Sequence, residues 1–355
     1  MPRTGAKQVQ VSFTAGRLTH FGGVYLLHCF LQRLHFRTFL GDRLRITERN
    51  NHFSMTERIF ALLYPMILGL NTIELSALLG TNGVFQYLTG LPRFPDPTTL
   101  RRFLLKQSPV LLPGLRAVHD QLRSRFLDLP DVRTSAWLDF DSTARTLYGH
   151  QEGVVKGYNP GHPGKKSYHP LVCSEAHLHD CLGGELRYGN AHTAVGVVPM
   201  LQRALQILPA SIRTIRTRAD AGFYDGDFIK ELLDNRIGFA VVAHMTAPLK
   251  HRVAGLRYSH VNDLESTAEF KYQPHGWNAP ARFVVLREKL TEERKEQLKL
   301  LMIDAYSYHV IVTNLLITPY GVFTFYQDRT GLERIIRTLK ERGLVFSGNE
   351  DAKQN

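Results

Sequence analysis

The sequence contains little cysteine and no long, uninterrupted apolar run. Only 3 of its 355 residues are cysteine, which is too few, and an odd number, for a disulfide framework, so a reducing compartment is expected. The apolar stretch from Val24 to Leu40 is interrupted by histidine and arginine side chains, and it therefore predicts neither a signal-peptide core nor a membrane span. We expect a soluble protein of the cytoplasm with no membrane partner.

Carboxylates are also in short supply. Lys and Arg together number 44 and Asp and Glu 32, which gives a net charge of +12. A surplus of this size favours polyanionic partners, because every phosphate that is neutralised releases a condensed counterion. A basic protein without a nucleic-acid role fits the same balance about equally well, so the charge leaves both interpretations open. The 43% of hydrophobic residues is enough for a packed core.

Motifs of several other functional classes are missing. The sequence has no phosphate-binding P-loop, so nothing indicates ATP use, and no Ser-His-Asp or Cys-His arrangement stands out. One group of metal-ligating residue types lacks the paired short spacings of structural zinc sites: Cys173, His177, His179 and Cys181. Alternate residues of a hairpin that share one face are the favoured interpretation of this group, and zinc is the less favoured one.

Residues 1–128 are predicted to be a helical region. The sequence Ser54-Met55-Thr56-Glu57 matches a capping box, which starts a helix. The pair Asp96-Pro97 suits the N-cap and first turn of a later helix, which carries the adjacent arginines Arg101 and Arg102. A helix, a turn and a helix with paired arginines are typical of a unit that inserts into a DNA groove. A plain helical bundle with solvated arginines is the alternative, and this stretch alone favours it.

From Thr134 onward the pattern changes to strands, and then to alternating helices and strands. The segment Thr134–Thr143, for example, alternates apolar and polar residues with the period of a strand. Strands that give way to helix–strand alternation predict an α/β sheet covered by helices on both faces. The expected α/β domain comprises residues 129–249 and 316–345, with a β-rich insertion at 250–315 and a frayed C-terminal tail at 346–355.

Two of these segments carry aspartates that suit divalent-metal chemistry on phosphodiesters, which needs carboxylates gathered by the fold. In the first, Asp139 and Asp141 alternate with Leu138 and Phe140, so both carboxylates share one face of a predicted core strand. Keeping them there without an ion is costly, and an edge strand with a solvated acidic face is the alternative. In the second, Asp220 ends a strand before a helix, where ligands of open α/β sheets gather, although aspartates are common at such turns.

A third segment is a predicted helix over residues 319–341. Four of its side chains fall in one narrow stripe at about 100° per residue: Tyr326, Arg329, Glu333 and Lys340. Such a stripe presents a metal-binding carboxylate between cations that bind phosphates of the same DNA strand. An amphipathic helix with an ordinary Arg329–Glu333 ion pair is the alternative.

Together these segments resemble the DDE transposases of bacterial insertion sequences. The spacing Tyr-x₂-Arg-x₃-Glu-x₆-Lys is met in full, and Asp141-Ser142-Thr143 and Asp220-Ala221-Gly222-Phe223 are similar to the first and second Asp motifs of the family. Three further stretches are similar to one branch of it: Tyr148–Gly153, Gly157–Pro160 and His169–Leu171. A β-rich insertion between the second Asp and the Glu also fits, and the likeness covers about residues 20 to 341.

The resemblance implies a metal-dependent transposase on an RNase H-like core, a mixed sheet flanked by helices. It implies that Asp141, Asp220 and Glu333 bind two Mg²⁺ or Mn²⁺ ions, with Asp139 as a rival to Asp141. Water then attacks the phosphodiester at a transposon end, and the freed 3′-hydroxyl attacks target DNA, which is cut-and-paste transposition. The implied partner is double-stranded DNA, bound by a homodimer that is associated with the nucleoid.

The resemblance also implies that Tyr326, Arg329 and Lys340 contact the end DNA. A second predicted contact is the basic loop next to the first Asp motif, whose exposed position suits phosphates. A solvated loop is the alternative for this stretch. The side chains expected to bind phosphate there are Lys156, Lys165 and Lys166.

Two features of the sequence bear on the expected DNA cleavage. Members of the family commonly continue well past the Glu helix, whereas this sequence has 15 residues after Lys340. A truncated copy that binds DNA without cutting it is therefore an alternative function, and a structure-selective nuclease on the same fold is another. In addition, Gly331 lies two residues before Glu333 and weakens the predicted helix by about 1 kcal/mol relative to alanine.

Overall fold

The computed structural model describes residues 19–44, 52–70, 72–91, 93–128, 134–149, 151–290, 306–338 and 340. The chain forms two compact units, one made of Met1–Phe126 with Thr338–Asn355 and the other of Leu127–Arg337. The predicted tail at 346–355 lies outside the described residues. In the part of the chain that is described, no helix is long and apolar enough to cross a membrane.

The first unit is helical. Its elements are α1 (Val24–Arg33), α2 (Phe36–Arg43), α3 (Met55–Ile67), a 3₁₀ turn (Glu74–Ser76), α4 (Ala77–Gly80), α5 (Gly83–Thr89) and α6 (Pro97–Leu127). The predicted capping box is confirmed, because Ser54 Oγ accepts from the Glu57 N–H and the Glu57 carboxylate accepts from the Ser54 N–H. Phe60, Tyr64 and Phe85 stack edge and face in the core of this unit.

The helix with the paired arginines, α6, begins where the Asp-Pro pair predicts it. Asp96 Oδ1 accepts from the Thr98 N–H at 2.8 Å. Arg101 forms an ion pair with Glu74, whereas Arg102 is exposed. Before α5, the chain forms the 3₁₀ turn and the short α4 rather than one regular helix. The Ser76 hydroxyl donates to the Ile73 carbonyl at 2.5 Å, a local bond that competes with regular helix hydrogen bonding.

The second unit is built on β-strands. They are β1 (Ser135–Ser142), β2 (Arg145–Thr146), β3 (Val155–Lys156), β4 (Lys166–Tyr168), β5 (Leu171–Glu175), β6 (Asp180–Glu185), β7 (Thr214–Ala219), β8 (Gly238–Val242), β9 (Ser259–His260), β10 (Glu265–Tyr272), β11 (Ala281–Lys289) and β12 (Tyr306–Thr313). The helices of this unit are α7 (Val197–Ile207), a 3₁₀ turn (Ala221–Phe223), α8 (Gly226–Asp234), α9 (Ala247–Ala254), α10 (Pro319–Gln327) and α11 (Thr330–Thr338).

Nine strands form one mixed sheet in the order β6-β5-β1-β7-β8-β12-β11-β10-β9. The first five follow the RNase H-like plan: β6, β5 and β1 are antiparallel neighbours, and β7 and β8 then run parallel to β1. The parallel connections pass through α7 and α8, as parallel strands require a crossover. The predicted fold class, a mixed α/β sheet flanked by helices, is confirmed.

The segment expected to be a β-rich insertion contributes α9 and the strands β9 to β12. These strands are antiparallel to one another and continue the main sheet, because β12 pairs directly with β8. A separate three-stranded sheet, in the order β2-β4-β3, follows β1 along the chain. The segment thus widens the core sheet at the edge that begins with β8.

The two faces of the sheet carry different cores. Leu138 and Phe140 of β1 lie in the larger cluster, together with buried residues of α7, α8 and α9. Trp137 lies against a second cluster formed with Val322, Phe323 and Phe325 of α10. Since side chains alternate along a strand, Asp139 and Asp141 belong to the α10 face. The predicted shared face of these two aspartates is therefore confirmed.

The single helix predicted over residues 319–341 is wrong. The structure has two helices, α10 and α11, and the chain leaves helical conformation at Asp328 and Arg329. The break coincides with long-range hydrogen bonds of Arg329, whose Nη2 donates to the Phe140 carbonyl at 2.8 Å. Tyr326, Arg329, Glu333 and Lys340 therefore do not form one stripe on a continuous helix.

Candidate active site

The first two predicted aspartates lie at the carboxyl ends of neighbouring parallel strands. In the β1–β7 ladder Phe140 pairs with Ala219, and the next residue on each strand is the aspartate, Asp141 or Asp220. Adjacent strands lie about 4.8 Å apart. The parallel register therefore makes Asp141 and Asp220 neighbours at one end of the sheet.

Each aspartate is fixed by a hydrogen bond to its own turn. Asp141 Oδ1 accepts from the Ser142 N–H at 2.7 Å. Asp220 is the N-cap of the 3₁₀ turn and accepts from the Gly222 N–H at 2.9 Å. A side chain at Gly222 would overlap Thr193, so the turn is packed closely against the loop before α7. Both carboxylates are held at a defined position.

A buried histidine beside this pair links the first aspartate motif to that loop. His169 Nδ1 lies 2.8 Å from the Ala191 carbonyl and Nε2 lies 3.0 Å from Ser142 Oγ. Because a carbonyl only accepts, Nδ1 carries the proton and Nε2 accepts from the serine hydroxyl. Burial lowers the pKa of the His169 imidazole, and the Asp220 carboxylate opposes this effect. His169 is thus an uncharged imidazole that forms a hydrogen bond with Ser142, the residue next to Asp141.

Arg187 forms hydrogen bonds with backbone carbonyls of the same loop. Its Nε donates to the His169 carbonyl at 2.9 Å, and its Nη1 donates to the carbonyls of His192, Thr193 and Val195. Burial lowers the pKa of this guanidinium. Sequence reasoning gave neither His169 nor Arg187 a role, and the only available signal was the similarity of the His169–Leu171 stretch to the family.

Asp139, the rival candidate for the first ligand, is committed to a buried ion pair. Arg218 donates to its two carboxylate oxygens at 2.7 and 2.8 Å, and each side chain is 1% exposed. Burial raises the pKa of Asp139, and the hydrogen bonds from Arg218 oppose this rise. The guanidinium lies between the rings of Trp137 and Phe325, 5.1 and 5.2 Å from their centroids. This arrangement satisfies Asp139 without an ion, and the role of Asp141 as the first ligand stays a prediction.

Two residues of the predicted DNA-contacting set lie beside the aspartates. Arg329 Nη1 donates to the Tyr326 hydroxyl at 2.9 Å, and its Nη2 bonds the carbonyl of Phe140, the residue before Asp141. Burial raises the pKa of the Tyr326 hydroxyl, the carboxylates of Asp220 and Asp141 add to the rise, and Arg329 opposes it. Tyr326 therefore lies within electrostatic range of both aspartates.

Glu333 does not join this group in the structure. Its side chain is exposed on α11, beyond the break at Asp328 and Arg329. Among the described residues, no three His, Cys, Asp or Glu side chains lie close enough to hold a metal ion together. Lys340 is grouped with the helical unit. The roles of Glu333 and Lys340 stay predictions.

The start of α11 packs against the β5–β6 hairpin, and this contact explains Gly331. An ideal Cβ at Gly331 would overlap the ring of His179. His179 itself adopts a left-handed backbone conformation at φ 52°. The hairpin is braced by the buried Glu175, whose carboxylate accepts from the Trp137 N–H at 3.1 Å and the Leu178 N–H at 2.8 Å. A side chain at residue 331 would thus displace the exposed His179 ring or the start of α11.

Replacing Gly331 with alanine is expected to displace the first turn of α11, and Glu333 with it, even though alanine favours helix by about 1 kcal/mol. If Glu333 takes part in cleavage, the variant loses cleavage activity, and the double variant Gly331→Ala/His179→Ala recovers most of it because the overlapping ring is gone. A cleavage assay on the four proteins of this cycle measures the coupling. Independent, additive effects of the two substitutions would contradict the packing argument.

The remaining predicted DNA contacts are on the surface. Lys156, Lys165 and Lys166 are exposed around the small sheet. In the helical unit Arg102 is exposed, while the guanidinium of Arg101 is engaged by Glu74. Their contacts with DNA stay predictions.

Comparison with known proteins gives the family. A family model described as transposase DDE domain group 1 matches residues 1–347. No curated protein matches significantly. The chain is similar to a solved structure, the piggyBac transposase synaptic complex with hairpin DNA, at 11% identity and a TM-score of 0.43. The alignment covers 95% of this chain and 63% of that one, so the chain spans less than two thirds of the length of that transposase.

Proposed function

Because the chain belongs to the transposase DDE domain group 1 family, we propose that it cuts DNA at the ends of a mobile element and joins the freed ends to target DNA. The observation that carries the proposal is the pair Asp141 and Asp220 at the ends of adjacent parallel strands, beside Tyr326 and Arg329. The proposed partner is double-stranded DNA, bound by a homodimer, and the proposed source is a bacterial insertion sequence.

The donor set fits a hard divalent cation, Mg²⁺ or Mn²⁺. Mg²⁺ is commonly held by one or two carboxylates together with water and substrate phosphates, and Asp141 and Asp220 provide two carboxylates on neighbouring strands. We propose that these residues and Glu333 hold two ions. Bound ions would activate the attacking oxygen and stabilise the leaving one.

Glu333 reaches the aspartates, in this proposal, by a movement at the break between α10 and α11. The break is held by Arg329, whose two Nη atoms are bonded while its buried Nε has no hydrogen-bond partner among the described residues. A buried charged donor without an acceptor is costly, so a DNA phosphate is a better partner than the present arrangement offers. Binding of the end DNA by Arg329 and Tyr326 would then release α11 to bring Glu333 inward.

The proposal is tested with purified protein and DNA that carries the ends of the element. Cleavage is expected in Mg²⁺ or Mn²⁺ and not in EDTA, and Glu333→Gln is expected to abolish it. Arg334→Gln, one residue further along α11, is the matched control for a surface substitution on this helix. Cleavage that persists in EDTA, or that is unaffected by Glu333→Gln and by asparagine at both aspartates, would show that the chemistry is different.

A DNA-binding protein without cleavage is the second candidate function. The exposed position of Glu333 and the absence of a three-carboxylate cluster among the described residues favour it. It predicts salt-sensitive binding to the element ends and no cleavage at any metal concentration. A spin or fluorescence distance probe on α11 separates the two candidates, because only the transposase requires α11 to move toward the sheet when end DNA and metal are both present.

Replacing Arg329 with glutamine is expected to weaken end-DNA binding. The plot of log K against log salt concentration should also become shallower, its slope falling in magnitude by about 1, because one phosphate contact is lost. Binding titrations at several salt concentrations measure this slope. Arg337→Gln, which removes the same charge from an exposed position of α11, is the control. An unchanged slope for Arg329→Gln would mean that its hydrogen bonds to Tyr326 and Phe140 are purely structural.

A further inference from the structure

The small sheet that follows β1 exposes two tyrosine rings. Tyr148 is 71% and Tyr158 is 74% exposed. Lys165 lies 6.0 Å from the centroid of the Tyr148 ring, which is cation–π distance. Large aromatic rings left in water beside a cation offer stacking surface together with positive charge.

The same sheet places two lysines directly opposite each other. Lys156 of β3 pairs with Lys166 of β4, and both side chains are exposed. Like charges at directly opposed positions destabilise a strand pair. The stretch from Lys156 to Lys166 contains no acidic residue, and no described carboxylate forms an ion pair with either lysine. A bound anion relieves this repulsion, and a phosphate backbone is an anion that also reaches the tyrosines.

The backbone that carries these side chains is tightly packed. A Cβ at Gly157 would overlap the carbonyl of Gly189, and one at Gly189 would overlap the Ser167 carbonyl. The buried Asn159 donates to Thr146 Oγ1 at 2.8 Å and ties the loop to β2. The backbone on both sides of Tyr158 is therefore held in place by the packing at Gly157 and by the Asn159 hydrogen bond.

The sheet is also continuous with the candidate active site. β2 follows Asp141 closely along the chain, and the Thr143 N–H donates to the Pro170 carbonyl at 3.1 Å. At the other side, β4 runs into His169, which bonds Ser142. DNA held on this sheet is thereby close, along the protein surface, to the point where cleavage is proposed.

We propose that this tyrosine–lysine platform (Tyr148, Tyr158, Lys156, Lys165 and Lys166) binds unpaired nucleotides of single-stranded DNA next to the cleavage site. The rings stack on unpaired bases and the lysines bind the intervening phosphates. Paired bases already stack within their duplex, so exposed rings gain from bases only where strands are open. The inference rests on the proposed function for its location and extends it by naming the form of DNA that is bound.

The experiment measures binding of the full chain, without metal, to an oligothymidylate of about 12 nucleotides and to a blunt duplex. Tyr148→Ala and Tyr158→Ala are each expected to weaken oligothymidylate binding by about tenfold, while Tyr148→Phe and Tyr158→Phe, which keep the ring, bind like the wild type. The pair Lys156→Gln/Lys166→Gln is expected to reduce the salt slope on single strands by about 1.4. Lys230→Gln is the control, because that lysine is paired with Asp234 on α8.

Three outcomes overturn the platform. Alanine variants that bind the oligothymidylate normally show that the rings do not stack. Phenylalanine variants that are as weak as the alanine variants show that the hydroxyls, not the rings, matter. Equal losses on the blunt duplex show a duplex-backbone site instead. Since metal is absent and cleavage is not scored, a catalytically inactive protein can still confirm the platform, and an active one can still refute it.

Discussion

Replacing Asp220 with asparagine is expected to lower the rate of metal-dependent DNA cleavage by about 10³-fold, the order found when a single charge-stabilising group is removed from an active site. The carboxylate is fixed by the Gly222 N–H beside Asp141, and asparagine keeps its shape and its ability to accept that bond. The substitution therefore removes charge with little effect on the fold. Asp141→Asn is expected to behave in the same way.

The control for this prediction is Asp227→Asn. Asp227 is an exposed aspartate on the first turn of α8, so its substitution changes the net charge equally without touching the pair. A sharper variant is Asp220→Cys, whose soft thiolate accepts Mn²⁺ more readily than Mg²⁺. Activity that returns in Mn²⁺ identifies Asp220 as a metal ligand. An Asp220→Asn protein that cleaves at a normal rate would remove this aspartate from the mechanism.

The sequence predicts the aspartate pair because its signals are local. Alternation along β1 places Asp139 and Asp141 on one face, and the end of β7 places Asp220 beside them. The choice between Asp139 and Asp141 depends on Arg218, which lies 79 residues from Asp139 in the chain. The alternation of residues within β1 gives no information about the Arg218 partner. Local patterns therefore indicate the candidate site, and a tertiary contact is needed to choose between its candidate residues.

The break between α10 and α11 is a second feature that involves a contact between residues far apart in the chain. Residues around Asp328 and Arg329 follow a helical pattern, and sequence reasoning extends one helix through them. In the structure α10 ends there, and Arg329 bonds the carbonyl of Phe140, 189 residues earlier in the chain. His169 and Arg187 were missed for a related reason, since a buried histidine and a buried arginine that bond backbone carbonyls leave no pattern in the sequence.

Replacing Arg218 with methionine is expected to destabilise the second unit by about 3–5 kcal/mol, because it leaves the Asp139 carboxylate buried without a partner. For a unit of this size the expected fall in Tm is roughly 10–15 °C. The cost is raised further by loss of the bond from Arg218 Nη1 to the Phe325 carbonyl, 2.9 Å, which holds α10 against the sheet. The double variant Asp139→Leu/Arg218→Met is expected to be much less destabilised, since it removes the charge and the cation together.

Tryptophan fluorescence measures the fall in Tm of the second unit, where Arg218 lies. The chain has 2 tryptophans, Trp137 and Trp277, both in the second unit, and Trp137 lies against the Arg218 guanidinium. A Trp277→Phe background leaves Trp137 as the single reporter. A fall in Tm for Arg218→Met that the double variant does not reduce would mean that the Asp139 charge is not the source of the loss. An Asp139→Asn protein that keeps its metal-dependent cleavage while losing stability would separate Asp139, as a structural residue, from Asp141.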